Sequence, residues 1–145
     1  MKKTLFVLLL LLSQIFTSVA FAQCTLNTKQ WLYIGNNGNN QLYIDAPNVE
    51  VNGSNVEAGL AIYFPTGCGM KHPGSKGEHY HYSLYCINYN VFSFAMKTVV
   101  FEDMAGNDLR DGIFLDDEEL IYKPIPRGTT FGKWCETALQ IAGKL

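Results

Sequence analysis

The sequence predicts an α+β domain in which antiparallel strands are followed by one terminal helix, and three observations carry this. Val56, Ala58, Leu60, Ile62 and Phe64 alternate along one segment, the period-two pattern of a strand with one buried face. Clusters of Gly and Asn interrupt the apolar segments at short intervals, as turns between neighbouring strands do. Near the end the period changes: Phe131, Trp134, Cys135, Ala138 and Ala142 recur at three- and four-residue spacing, with Leu139 and Ile141 on the flanks.

The elements follow in order. Trp31 to Ile34 is a short strand, and residues 36–40 (Asn-Asn-Gly-Asn-Asn) form a turn of residues that tolerate positive φ. Leu42 to Asp45 and Val49 to Val51 are strands, and residues 52–55 turn the chain into the alternating strand Val56 to Phe64. A glycine-rich loop carrying Lys71 and Lys76 runs from Pro65 to about Glu78, before a strand over Tyr80 to Ile87. Residues 88–90 turn into a strand over Val91 to Phe101, with Phe92, Phe94, Met96 and Val100 expected on one face. Leu109 to Leu115 is a further strand. Asp116 to Glu119 form a solvated acidic tip, and Leu120 to Ile125 is extended up to Pro126. Thr129 or Thr130 caps the final helix.

Residues 1–22 read as a secretory signal peptide. Lys2 and Lys3 precede an uncharged run from Leu5 to Leu12, and Ala20-Phe21-Ala22 is an A-x-A cleavage site. Ser13 and Gln14 interrupt the run well short of a membrane span, so the mature chain, Gln23 to Leu145, is expected to be one domain without a transmembrane segment. Gln23 is a poor residue to precede a lipid-modified cysteine, which argues against a lipid anchor at Cys24. The formal net charge of −2 becomes more acidic once Lys2 and Lys3 are removed, which argues against nucleic acid as a partner.

Export gives the four cysteines, Cys24, Cys68, Cys86 and Cys135, their first meaning, because thiols in an oxidising compartment tend to pair. Three pairings are open. His72, His79 and His81 are the candidate metal ligands. His79 and His81 project from one face of a strand, and with a third histidine such a pair suits zinc or copper. The cysteines are expected to bond one another and stay out of that set, and no cofactor is otherwise indicated. Ser75 and Ser83 lack the G-x-S-x-G elbow of a hydrolase, and the acidic tip lacks the ligand spacing of an EF-hand, so a non-enzymatic protein is expected. Asn52-Gly53-Ser54 reads as a turn.

Tyr43-Ile44-Asp45, then the alternating strand, then Cys86-Ile87-Asn88-Tyr89 and the late Cys135 resemble the surface-adhesin protein E family of Gram-negative bacteria, over roughly Trp31 to Ala142. The resemblance implies a single antiparallel sheet of about six strands with the C-terminal helix packed on one face. It also implies a disulfide between Cys86 and Cys135 that staples helix to sheet, which leaves Cys24 to pair with Cys68. Closing the Cys86–Cys135 loop is worth about 4 kcal/mol in the chain-entropy model. Implied too are a homodimer and an exported adhesin, periplasmic or surface-displayed, binding host matrix or serum proteins such as vitronectin, laminin and plasminogen. The alternative is a periplasmic accessory or metal-binding envelope protein that uses His72, His79 and His81.

Overall fold

The computed structural model describes residues 30–71 and 73–145; the signal peptide, Cys24 and His72 lie outside the described residues. Eight strands form one antiparallel sheet: β1 (Trp31–Asn37), β2 (Asn40–Asp45), β3 (Glu50–Asn52), β4 (Asn55–Phe64), β5 (His79–Asn88), β6 (Ser93–Asp103), β7 (Asp108–Phe114) and β8 (Lys123–Pro124). Six of them run in the order β1-β2-β4-β5-β6-β7; β3 adds to β4 and β8 to β6. The sheet curls into a half-barrel, and one helix, α1 (Thr130–Ile141), follows it. The α+β architecture is therefore the expected one. None of the helices among the described residues is long and apolar enough to cross a membrane.

β4 and β5 form the spine, paired without interruption from Asn55↔Asn88 to Phe64↔His79. On β4 the alternating residues Val56, Ala58 and Leu60 are buried on the inner, concave face. The register places Ile87, Tyr85 and Ser83 opposite them, and His81 and His79 opposite Ile62 and Phe64. The helix covers one end of this face. Trp134, Cys135, Ala138 and Leu139 are buried in one cluster with Ile34, Leu42, Ile44, Val56, Ala58, Leu60 and Ile87. Thr129 caps the helix by accepting from the Gly132 N–H at 2.9 Å, and the Trp134 indole N–H donates to the Tyr43 carbonyl at 3.2 Å. Leu139, expected on a flank, is fully buried, whereas Ile141 is exposed.

Three expectations are corrected. The strand expected from Val91 begins at Ser93, because Phe92 takes a positive φ of 51° and turns the chain. Val100 does not share a face with Phe94 and Met96. The register shifts between Leu84↔Thr98 and Tyr85↔Met96, leaving Lys97 as the extra residue of a bulge, which exchanges the faces beyond it. Val99 and Phe101 therefore turn inward and are buried. The segment expected to be extended from Leu120 to Ile125 pairs with the sheet only over Lys123 and Pro124.

The disulfide staple is a fourth correction. Cys86 and Cys135 are buried thiols that are not bonded to each other. Successive strand residues point to opposite faces, and α1 packs on the Tyr85 and Ile87 face. Cys86 therefore points outward, into a pocket formed by Asn52, Asn55, Glu57, Asp117, Leu120 and Tyr122, where the chain after β7 crosses the outer face. The sheet lies between the two sulfurs. Burial pushes the Cys86 thiol up to about 11 and that of Cys135 up to about 12.

Candidate metal centre

At the end of the inner face that α1 leaves open, β5 begins with His79 and His81. Alternation along the strand puts both imidazoles on the inner side, where His79 is fully buried and His81 is 6% exposed. Phe64 and Phe101 enclose them. Phe64 stacks on His79 with centroids 5.0 Å apart and approaches His81 at 4.4 Å, and Phe101 meets His81 edge-on at 4.6 Å. The neighbouring strands provide both rings, since Phe64 pairs with His79 and Phe101 with His81.

Hydrogen bonding orients the pair. His79 Nδ1 lies 2.6 Å from the Gly77 carbonyl oxygen. That oxygen only accepts, so Nδ1 carries the proton and Nε2 keeps its lone pair. The two Nε2 atoms face each other at 3.1 Å. Two imidazole nitrogens on one tetrahedral metal, each at about 2.0–2.1 Å, sit roughly 3.3 Å apart. A backbone carbonyl behind Nδ1 is the usual outer support of a metal-bound histidine, because it fixes both tautomer and ring orientation.

The third donor arrives from the glycine-rich loop. Cys68 Sγ, His79 and His81 each offer an atom within 4.8 Å of the others. The loop folds back to place it: the Cys68 N–H donates to the Ser75 carbonyl at 2.6 Å, and Ser75 is buried. Gly67 makes the fold possible. Its φ is +85°, and a Cβ there would overlap the backbone of Ser75 and Lys76.

Of the predicted metal ligands, the structure thus brings His79 and His81 together, and His72 lies outside the described residues. Cys68 was missed as a ligand because the export argument assigned every thiol to a disulfide. The visible signal was a cysteine and an H-x-H pair at the two ends of one glycine-rich loop. Among the other candidates, Ser75 supports the loop through its carbonyl and Ser83 lies opposite Leu60 on β4. Asp117 of the acidic tip pairs with Lys97 at 2.8 Å. Comparisons with protein-family models, with curated proteins and with solved structures return no match to this chain. The likeness to surface-adhesin protein E rests on the sequence motifs quoted above.

Proposed function

We propose that this protein is a non-enzymatic envelope protein that binds one transition-metal ion through Cys68, His79 and His81. The observation that carries the reading is the pair of buried Nε2 atoms 3.1 Å apart, with a cysteine sulfur in the same cluster. Nitrogen and sulfur donors at this spacing suit zinc and copper rather than calcium or magnesium, which take oxygen ligands. The test is titration of the reduced protein with Co(II), whose thiolate charge-transfer band reports sulfur ligation. One equivalent is expected, with loss of binding in His79→Ala, His81→Ala and loss of the band in Cys68→Ser. Absence of binding by the wild type, or binding unchanged in the histidine variant, overturns the reading.

A second reading, the host-protein adhesin implied by the sequence motifs, is favoured by the outer face of the sheet. Tyr63, Tyr80, Tyr82 and Trp31 form a continuous ring row there, with successive centroids 5.0, 5.6 and 5.8 Å apart. Tyrosine and tryptophan are enriched in protein-binding surfaces, and Trp31, Tyr63 and Tyr82 are partly exposed over a buried Tyr80. Binding to vitronectin, laminin or plasminogen, weakened by Tyr82→Ala, is the expected result, and no binding to any of the three removes this reading.

A further inference from the structure

Resting on the metal-binding reading, we infer that the Cys68–His79–His81 site selects monovalent copper, Cu(I), over Zn(II). The inference comes from charge. Among the described residues only Cys68, His79 and His81 form the ligand group, and no carboxylate joins it. Every Asp and Glu of the chain lies within the described residues. Two acids beside His79, Asp103 and Glu78, have other partners, and Glu102 pairs in register with Tyr80, not with either histidine. Asp103, opposite His79 in the register, accepts from Ala105 and Asn107, and Glu78 accepts from the Tyr63 hydroxyl on the outer side.

The imidazoles are neutral ligands, so one thiolate from this set supplies its whole negative charge. A monovalent ion with that thiolate gives a neutral centre, and a divalent ion leaves a net positive charge. The surroundings disfavour such a charge. Phe64 and Phe101 enclose buried histidines, and an uncompensated charge in an apolar site is costly. The Arg110 guanidinium sits 5.0 Å from the Phe101 ring centroid, and the loop carries Lys71 and Lys76, so fixed cations as well as the acids Glu78 and Asp103 stand near the site. Ligand type points the same way, since a soft thiolate with imidazoles suits Cu(I). A neutral fourth ligand would leave this charge balance unchanged.

The test is a pair of anaerobic competitions on the reduced protein, Cu(I) against bicinchoninate and Zn(II) against a chromophoric chelator, with circular dichroism to confirm that each variant is folded. Wild type is expected to bind one equivalent of Cu(I) at least 100-fold more tightly than Zn(II). Cys68→Asp keeps the charge but replaces soft sulfur by hard oxygen, and is expected to cut that preference at least tenfold. Zn(II) binding equal to or tighter than Cu(I), dependent on the same three residues, overturns the Cu(I) inference and leaves the metal-binding reading standing. An unchanged preference in Cys68→Asp also overturns it. Binding of neither ion overturns both.

Discussion

Two buried thiols on opposite faces of the sheet set the chemistry at the scale of single residues. Cys86 is ringed by Glu57, Lys97 and Asp117, whereas Cys135 sits in the apolar cluster under α1. Both thiols titrate above the ordinary value of 9.0, chiefly because burial disfavours the thiolate. A thiol with a raised folded-state value holds its proton in the native state where the unfolded chain has lost it, so its contribution to stability is complete below the unfolded value. Stability is therefore expected to fall from about pH 9 upward, through about 11 and about 12, as followed by urea denaturation across that range. Stability that stayed flat between pH 9 and 11 would count against buried protonated thiols. Maleimide is therefore expected to label Cys86 and Cys135 only after denaturation, and mass spectrometry of non-reduced peptides is expected to find no Cys86–Cys135 link. Trp134 is the largest fully buried side chain, and Trp134→Ala is expected to cost about 3–5 kcal/mol by denaturant titration.

Element by element, what could be read from the sequence followed local periodicity, and what could not depended on tertiary choices. The alternation from Val56 to Phe64 gave β4 and its buried face, and the spacing from Phe131 to Ala142 gave α1, because each pattern is set within one element. Strand alternation puts Cys86 in step with Leu84 and Tyr82, but no local pattern says which face of a two-sided sheet the helix will cover. Val100 lost its expected face to a one-residue bulge at Lys97, whose side chain there reaches Asp117 at 2.8 Å and Glu57 at 3.5 Å. The candidate site was half legible: the H-x-H pair follows from strand alternation, but Cys68 reaches it only through the folded loop. Two substitutions test these elements. Thr129→Ala removes the helix cap and is expected to cost about 1 kcal/mol. Gly132→Ala is expected to cost about 1–3 kcal/mol, because its new Cβ would overlap the Pro126 carbonyl oxygen. Both are read by thermal and chemical denaturation, and a Gly132→Ala protein as stable as wild type would refute that close packing.

Across the whole molecule, the inner face of the sheet carries two separate contents. The helix end holds the apolar cluster, which includes neither His79 nor His81. The loop end holds the proposed metal donors, Cys68, His79 and His81. Folding and metal binding are therefore expected to be coupled in free energy but separable in structure, unlike small zinc domains that unfold without their ion. An ion that binds only the native state at 100 times its dissociation constant adds about 2.7 kcal/mol, a rise in Tm on the order of 10 °C for a domain of this size. Chelation should reverse that rise and leave a cooperative transition with unchanged far-ultraviolet circular dichroism. Amide NMR signals should move on metal addition across residues 67–81 and at Phe101, while those of α1 stay in place. Gly67→Ala displaces Cys68 without touching either histidine, and is expected to weaken metal affinity about 10–100-fold, as loss of an outer support does. If chelation instead unfolded the sheet, or if α1 moved as much as the loop, the two ends would form one unit and the apolar cluster under Trp134 would not be holding the fold by itself.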